Sequence, residues 1–349
     1  MSDAMKAALL YGARDIRVEA YRRPELQPGM VLLRTRRVGI CGSDLHYYEE
    51  GHCGASTPDR PFVLGHEFVA DVAAVADGVD AVRVGQRVTA NPARACGFCD
   101  YCKAGRGNLC RKTIMLGSAS RRPPIDGAMA EYLTVRGDQC CVLPDEMDDT
   151  LGTMIEPLAV ALHAVKRAGG VSGKRVFVAG AGTIGRLVAI VAKAFGAVPV
   201  AISEIVPARR ERAVEGGVDV VLDPGAKDFG ERVKALTGDG FDALFEASGS
   251  ALALRQLFEI VRPGGTIVQI GTVPTEGIPL PCYEVMHKEF SYIGSLRYGN
   301  VFGEAIRLVA SGRVDLRPLY SGEFAPDEAA KAFEVAADKA RSLKVQIRL

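Results

Sequence analysis

The sequence predicts an α/β protein of two domains, one mostly β and one built on a doubly wound parallel sheet. Two observations carry this prediction. Short apolar runs broken by Gly, Pro and Asp fill the first 150 residues, a texture typical of short β-strands. From about residue 151, apolar strand-type runs alternate with runs at helical spacing. Such alternation predicts a parallel sheet with helices on both faces.

Length and composition agree with two soluble domains. The 349 residues fit a prior of roughly 150 residues per domain, and a hydrophobic share of 48% is ample for two cores. The net charge of +1, with no long run of one sign, argues against nucleic acid or an anionic membrane as partner. No apolar stretch approaches the roughly 20 residues of a membrane helix, and no signal-peptide layout is found. Nine cysteines without an export signal therefore favour a reducing cytoplasm.

The individual elements follow from these patterns. In the first domain we expect strands at 30–34, 68–75 and 86–90. A helix at 156–168 then opens the alternating region. Its further predicted strands are 175–179, 198–203, 218–222, 243–246 and 266–270, with helices at 183–195 and 208–215. After about residue 290 the pattern loses its regularity, so we expect the tail to return to the first domain.

Four cysteines within one short segment predict a metal-binding loop. Cys96, Cys99, Cys102 and Cys110 are separated by two, two and seven residues. Four thiolates saturate Zn²⁺ and leave no position for a substrate, so this zinc would be structural. Paired disulfides are disfavoured by the missing export signal. An iron–sulfur cluster is the alternative, but its usual motif brings the fourth cysteine after three residues and follows it with proline.

A second group of residues has the composition of a reactive metal site. Cys41 is followed by Ser43, Asp44 and His46, and a separate segment contains Gly65-His66-Glu67. One thiolate, one imidazole and one or two carboxylates hold Zn²⁺ and leave a position open for water or an alcohol. Taken singly, His66 is equally a core histidine and Cys41 a small buried thiol. Their combination favours the metal site.

A glycine-rich turn predicts a dinucleotide site. The apolar run at 175–179 leads into Gly180, Gly182 and Gly185 in a G-x-G-x-x-G pattern, followed by a helix. The glycines allow a tight turn, close approach of a pyrophosphate and close helix–strand packing. Thr183 and Ile184 open the helix, where free N–H groups and the helix dipole favour phosphate.

Glu204 predicts which dinucleotide binds. It ends the second strand, about 20 residues beyond the glycines, where a carboxylate accepts hydrogen bonds from the adenosine ribose and repels a 2′-phosphate. This favours NAD over NADP. Arg209, Arg210 and Arg212 follow closely and weaken the preference. The alternative for Glu204 is a solvated surface acid.

These motifs together resemble one family over essentially the whole chain. The segments at 39–46 and 65–67, the four-cysteine lobe, Glu156-Pro157-Leu158 and the glycine turn are similar to those of the zinc-containing medium-chain dehydrogenases, within the alcohol dehydrogenase superfamily. The resemblance implies a GroES-like catalytic domain at 1–152 plus 291–349. It also implies a Rossmann NAD-binding domain at 153–290.

Within that family the chain resembles the polyol, or sorbitol dehydrogenase, branch and especially the L-idonate 5-dehydrogenases. The segments that carry this likeness are 42–51, Asn91-Pro92, Gly117-Ser118-Ala119, 156–160 and 297–300. The resemblance implies two zinc ions per chain and NAD-linked oxidation of a secondary alcohol in a sugar acid or polyol. It also implies a homotetramer, with a homodimer as the alternative.

The resemblance assigns roles to the reactive residues. It implies that Cys41, His66 and Glu67 bind the catalytic zinc. Glu156 takes the fourth position, directly or through water. Ser43 would start a proton relay through the cofactor ribose to His46, whose unperturbed pKa suits transfer to bulk water. For His46 the alternative is a packing role only.

Substrate contacts are expected from Tyr47, Glu156 and Arg297. An arginine offers a bidentate clamp for a carboxylate, but a similar arginine occurs in enzymes for neutral polyols. Other cations near pocket-forming segments are interpreted as solvated surface charges; they are Arg94, Arg121 and Arg122.

Two other classes of protein remain as alternatives. A zinc-ribbon module that binds nucleic acid would explain the four-cysteine loop, but it explains neither the glycine turn nor the neutral charge balance. A zinc-stabilised nucleotide-binding protein without catalysis would explain the glycines. It would not explain why Cys41, His66 and Glu67 occur together.

Overall fold

The computed structural model describes residues 4–274 and 276–349 and divides the chain into two compact units. Unit 1 contains the described residues up to Glu156, together with Phe302–Gly312 and Leu319–Leu349. Unit 2 contains Pro157–Val301 and Arg313–Pro318. The sequence-based domain boundaries, after residues 152 and 290, stay predictions.

The secondary structure is mixed α and β throughout. The strands are β1 (Ala4–Gly12), β2 (Asp15–Arg22), β3 (Met30–Gly39), β4 (Phe62–Val63), β5 (Glu67–Val75), β6 (Arg87–Ala90), β7 (Ala93–Arg94), β8 (Ile114–Met115), β9 (Tyr132–Arg136), β10 (Cys140–Val142), β11 (Val176–Ala179), β12 (Val200–Ser203), β13 (Val220–Leu222), β14 (Phe241–Glu246), β15 (Val261–Gln269), β16 (Ser291–Gly294), β17 (Tyr320–Phe324) and β18 (Lys344–Arg348). The α-helices are α1 (Gly42–Glu50), α2 (Asp100–Lys103), α3 (Asp149–Thr153), α4 (Ile155–Arg167), α5 (Thr183–Ala194), α6 (Pro207–Glu215), α7 (Phe229–Thr237), α8 (Ala251–Ile260), α9 (Cys282–His287), α10 (Phe302–Ala310) and α11 (Ala329–Ala337). Among the described helices, none combines the length and the apolar composition that crossing a membrane requires.

Unit 1 is a set of mostly antiparallel sheets. Its seven-stranded sheet runs β10-β6-β5-β3-β18-β17, and β9 also pairs with β3. The strands β2-β1-β4 form a three-stranded sheet, and β7 pairs with β8. The core includes Phe62 and Phe68 from the first part of the chain and Phe333 from α11 near its end. The tail therefore belongs to the same hydrophobic core as the first strands.

The pairing of β18 with β3 positions the functional residues of unit 1. Gln346 pairs with Gly39, and on the other side of β3 the same Gly39 pairs with Glu67, the first residue of β5. The end of the chain is thereby fixed beside the segment that leads from β3 into Cys41.

Unit 2 contains the predicted parallel sheet. Its six strands are parallel and run β13-β12-β11-β14-β15-β16. If the strands of this sheet are numbered from 1 to 6 along the chain, their order across the sheet is 3-2-1-4-5-6. All four residues of β11 are buried, as parallel strands covered on both faces require. The order reverses beside β11, and ligands of such sheets bind at the carboxyl ends of the strands at this point.

The sequence-based elements of unit 2 are confirmed for β11, α5, β12 and α6 to within a few residues. The strand predicted at 266–270 begins earlier, at Val261, because its first residue pairs with Phe241 before the register shifts. The helices α7 and α8 were not predicted. Both place apolar residues on the buried face, among them Phe229, Val233 and Leu257, but short stretches between turns obscure that spacing in the sequence.

Candidate active site and cysteine lobe

The segment that carries Cys41 is fixed by a buried aspartate. Asp44 lies in the first turn of α1 and is fully buried. Its Oδ2 accepts a hydrogen bond from the backbone N–H of Cys41 at 3.0 Å, and its Oδ1 accepts one from Gly65 at 3.4 Å. Asp44 therefore ties the Cys41 loop to the segment that carries His66. Burial raises the pKa of this carboxyl group.

Cys41, His66 and Glu67 converge in space. The side-chain atoms that they offer to a metal all lie within 4.8 Å of one another. The Nδ1 atom of His66 is buried, has no hydrogen-bond partner among the described residues and lies 3.6 Å from Oδ1 of Asp44. A carboxylate behind one ring nitrogen is the usual arrangement when the other nitrogen binds a metal. The sulfur, nitrogen and oxygen donors are the set that Zn²⁺ takes.

The carboxylate of Glu67 is held by a lysine from the end of the chain. Lys344, the first residue of β18, is 2% exposed, and Glu67 is fully buried. The Lys344 ammonium donates to both Glu67 oxygens, at 2.8 and 2.6 Å, and to the carbonyl oxygen of Ile40 at 3.0 Å. Burial acts against the charge of Lys344, but Glu67, Cys41 and Glu156 together outweigh burial and raise the lysine pKa. A side chain in place of Gly39 would overlap the Glu67 carboxylate.

Negative charge dominates the surroundings of His66. Burial alone would lower the pKa of His66, yet the nearby groups Asp44, Cys41 and Glu156 raise it well above its usual value. Glu156, in the first turn of α4, is 4% exposed and also acts electrostatically on Lys344. It lies outside the group of three that meets the 4.8 Å limit. The environment thus favours additional positive charge, which a divalent cation supplies.

The predicted relay residues share one helix. Ser43 and His46 lie three residues apart on α1 and therefore on the same side of it. Ser43 is half-buried. The His46 side chain is 51% exposed, and its Nδ1 lies 3.0 Å from Oε1 of Glu50. His46 therefore contacts both protein and solvent, and its relay role stays a prediction.

Two of the expected substrate contacts have clear structural surroundings. Tyr47 is 3% exposed, its ring packs edge-on against Phe62, and its hydroxyl oxygen accepts a hydrogen bond from the N–H of Ala119 at 3.0 Å. It thereby holds the loop after the cysteine lobe. Arg297 belongs to unit 2, is half-buried and has a left-handed backbone with φ of 53°. For both residues a substrate contact stays a prediction.

The four lobe cysteines form a second cluster. Their sulfur atoms lie within 4.8 Å of one another, and none of the chain's cysteines is in a disulfide. The Sγ of Cys102 lies 3.5 Å from that of Cys99 and 3.9 Å from that of Cys96. Tetrahedral zinc with Zn–S bonds of about 2.3 Å sets its sulfurs about 3.8 Å apart. The spacing therefore fits one zinc ion.

Backbone N–H groups stabilise the thiolate form of Cys110 in this lobe. The N–H groups of Cys96 and Lys112 donate to the Sγ of Cys110 at 3.2 and 3.3 Å. Burial acts against ionisation of Cys110, but these donors lower its pKa to about 6. Gly97 turns the chain between the first two cysteines with φ of 84°, a conformation that L side chains rarely adopt.

The glycine turn of unit 2 has the geometry of a dinucleotide loop. Gly180 has φ of 97°, and a side chain at Gly185 would overlap the carbonyl oxygen of Gly180. Gly182 is the N-cap of α5, with Thr183 and Ile184 in its first turn. The open helix N-terminus therefore follows the carboxyl end of β11, as phosphate binding requires.

Glu204 is a buried acid rather than a solvated one. It is 6% exposed, and its carboxylate accepts hydrogen bonds from the N–H groups of Ala181 and Val206, both at 3.0 Å. It therefore links the end of β12 to the glycine turn. Arg209 lies 3.8 Å from the same carboxylate and is half-buried, which lowers its pKa. A cation and an anion are thus both present where the adenosine ribose is expected.

Sequence reasoning missed Lys344 and named Asp44 in the reactive segment without assigning its positioning role. Asp44 had a detectable signal, since it follows Cys41 by three residues, the spacing of a helix N-terminal cap. Lys344 had only a weak signal, a lysine at an inward position of the last strand.

Of the cations interpreted as surface charges, Arg121 is exposed but donates to the carbonyl oxygens of Thr113 and Arg111. Arg94 is half-buried.

Two family models match the chain. The alcohol dehydrogenase GroES-like domain matches residues 27–145, and the zinc-binding dehydrogenase domain matches residues 183–311. The chain belongs to the zinc-dependent alcohol dehydrogenase family, whose GroES-like and Rossmann architectures account for the sheets of unit 1 and unit 2 respectively.

Individual relatives place the chain more narrowly. Sorbitol dehydrogenase of Bacillus subtilis is 35% identical over 98% of this chain and 97% of that enzyme. L-idonate 5-dehydrogenase (NAD(P)(+)) of Escherichia coli is 36% identical over 90% and 91%. The crystal structure of L-idonate 5-dehydrogenase from Escherichia coli superposes with a TM-score of 0.93 at 33% identity, covering 99% and 98%. The chain is an oxidoreductase of CH–OH donors in the polyol branch.

Metal analysis tests the two clusters separately. We expect two zinc ions per chain in the wild-type protein and one in each of the variants Cys41→Ser and Cys99→Ser. Cys99→Ser should lower the thermal midpoint more, because metal binding in the lobe contributes folding free energy. Mass-spectrometric zinc content and thermal melts provide the readout. A single zinc in the wild-type protein, or unchanged content in Cys41→Ser, would contradict the assignment.

The Lys344–Glu67 pair is tested through stability. Lys344→Met leaves a buried carboxylate without its partner and should reduce the free energy of unfolding by about 3–5 kcal/mol. The double variant Lys344→Met/Glu67→Gln should recover most of that loss. Lys331→Met is the control, because Lys331 pairs with Glu328 at 64% exposure and such surface pairs contribute about 0–1 kcal/mol. Equal destabilisation by both lysine variants in urea titrations would rule out the role of the buried pair.

Proposed function

We propose that this protein oxidises L-idonate at C5 to 5-keto-D-gluconate with NAD, reversibly and with two zinc ions per chain. The coarser activity, a polyol or sugar-acid dehydrogenase, follows from family membership. The observation that carries the proposal is the buried convergence of Cys41, His66 and Glu67. Neither a nucleic-acid module nor a non-catalytic nucleotide-binding protein needs such a cluster.

The residues of unit 1 would create the reactive centre. Bound zinc would polarise an alcohol oxygen and lower its pKa, and bound nicotinamide would accept the hydride. Cys41 and His66 supply the sulfur and nitrogen ligands. Asp44 fixes the Cys41 loop and lies behind the His66 ring. Glu67 and Glu156 are the two buried carboxylates available for the remaining positions.

The ion pair with Lys344 limits how Glu67 can bind a metal. Both Glu67 oxygens accept hydrogen bonds from Lys344, so a metal contact through Glu67 requires sharing or release of one of them. Glu156, which is buried in the first turn of α4 and acts electrostatically on Lys344, is the second carboxylate of the proposed site. The proposed division is Glu156 towards the open position and Glu67 as the ligand restrained by Lys344.

The alcohol proton leaves along α1 in this proposal. The hydroxyl group of Ser43 would accept this proton, and His46, on the same side of α1, would release it towards solvent. His46 is half in solvent and lies beside the Glu50 carboxylate. Hydrogen bonding with His46 lowers the pKa of Glu50, so Glu50 stays ionised and orients the imidazole ring. Bulk water then takes the proton.

NAD is the proposed cofactor. The Glu204 carboxylate, at the end of β12, would accept hydrogen bonds from the ribose and repel a 2′-phosphate. Arg209, 3.8 Å from that carboxylate, reduces the repulsion. We therefore propose preference for NAD with measurable use of NADP. The name of the Escherichia coli relative, which includes NAD(P)(+), is consistent with this.

The choice of L-idonate rests on likeness to known relatives. The relative named for L-idonate and the relatives named for sorbitol are similarly distant, at 36% and 35% identity. Structural superposition with the L-idonate enzyme extends over 99% of this chain. A neutral polyol of the sorbitol or xylitol type is the second candidate, because the proposed site contains no cation that only a carboxylate would need.

Parallel kinetics decide between these substrates. We expect kcat/KM for L-idonate to exceed that for sorbitol, xylitol and L-threonate with the same zinc-loaded protein and NAD. Gluconate, which differs in the configuration at C5, is the matched control for recognition of the reacting carbon. Activity on L-idonate no higher than that on sorbitol would overturn the first choice and favour a neutral polyol as the substrate.

Cofactor preference tests Glu204. Replacing it with glutamine removes the charge and should reduce the ratio of kcat/KM for NAD to that for NADP about tenfold, the effect of one lost charge-assisted hydrogen bond. Glu211→Gln removes an exposed acid of α6, the helix that follows Glu204, and should leave the ratio unchanged. A wild-type protein that prefers NADP, or an unchanged ratio in Glu204→Gln, would contradict the assigned role.

A further inference from the structure

Unit 1 contains a large cavity that the dehydrogenase site does not use. Its volume is about 570 Å³, within the range of roughly 300–1,000 Å³ found for small-molecule sites. None of the residues of the proposed reactive centre lines it. The walls combine polar groups with apolar side chains, and the apolar ones include Met5, Met30, Ile114, Leu116 and Leu133.

The cavity is positively charged. Its ionisable lining groups other than tyrosine are Arg22, Arg60, Arg94 and Asp126, a formal charge of +2 from three cations and one anion. The anion is already engaged, because Asp126 accepts hydrogen bonds from the Tyr21 hydroxyl at 2.9 Å and from the N–H of Val63 at 3.0 Å. Asp126 offsets one of the three arginine charges, so a net positive charge remains in the cavity.

Arg94 is the cation whose position most requires an anion. It is the second residue of β7, where it pairs with Ile114 of β8, and it is half-buried. Across the part of the chain that the structure describes, its guanidinium group has no hydrogen-bond, ion-pair or ring partner. By contrast, Arg60 donates to the carbonyl oxygen of Pro124. A partly desolvated guanidinium without an acceptor is unfavourable, and its planar fork matches a carboxylate.

We propose that this cavity binds a small carboxylic acid with an apolar body, held by Arg94 at the carboxylate and by the methionine and leucine walls along the chain. A bare inorganic anion would leave the apolar walls uncovered. The cavity is separate from the proposed substrate site, so the ligand is an additional one. Because β7 and β8 flank the cysteine lobe, bound ligand would also brace the base of that lobe.

Octanoate is the probe for this proposal. Isothermal titration of the full-length, zinc-loaded protein with octanoate, in saturating NAD to cover the nucleotide site, should give saturable binding. Arg94→Gln should weaken it about tenfold or more, as expected for loss of a charged hydrogen-bond partner. Arg94→Lys, which keeps the charge but not the fork, should fall between. Arg83→Gln, an exposed arginine that does not line the cavity, is the matched control and should bind like wild type.

The competing explanations give different results. Equal binding of octanoate by Arg94→Gln and Arg83→Gln would overturn the proposal, as would the absence of saturable binding in the wild-type protein. Binding of acetate or sulfate as tight as that of octanoate would mean that the cavity recognises only the anion, which would contradict the proposed contact with an apolar body. A change of molar mass in light scattering of Arg94→Gln, with no octanoate binding by wild type, would instead identify an interface between copies. Zinc content and thermal midpoint of each variant verify that it is folded, and Arg94→Lys keeps the test valid should Arg94→Gln fail to fold.

Discussion

The interior of unit 1 concentrates acidic groups around a single lysine, and the site depends on how their charge is balanced. Fully ionised, the groups near His66 would carry four negative charges; they are Cys41, Asp44, Glu67 and Glu156. Lys344 supplies one fixed positive charge through its contacts with Glu67 at 2.6 and 2.8 Å. Buried charge without compensation is expensive. A divalent cation would reduce the remaining imbalance to about one charge, which is the physical reason for proposing that this cluster binds a metal.

This requirement explains features of the fold that seem unrelated to chemistry. The last strand of the chain pairs with β3, and this pairing carries the Lys344 ammonium to Glu67. Gly39 has no side chain where one would displace the Glu67 carboxylate. Asp44 holds the start of α1 against Gly65. The proposed reactive cluster is therefore assembled from four separated segments, whereas the cysteine lobe assembles from one.

The sequence predicted what is local and missed what is distant. The glycine turn was predictable because the strand, the three glycines and the helix are contiguous, and the cysteine lobe because its ligands lie within fifteen residues. The parallel sheet followed from alternating periodicity. The Lys344–Glu67 contact spans 277 residues, and no short pattern encodes such a pair. Glu204 was assigned to the correct strand end, but its two bonds to backbone N–H groups depend on the tertiary arrangement of the turn.

Zinc K-edge absorption of the fully loaded protein tests the central claim most directly, because it counts the atoms bound to the metal. One site with a single sulfur and one with four predict an average of about 2.5 sulfur atoms per zinc, with nitrogen and oxygen completing the shell. An average of about four sulfur atoms and no nitrogen or oxygen would mean that the lobe alone binds zinc. That result would contradict the view that buried negative charge around His66 exists to hold a reactive metal.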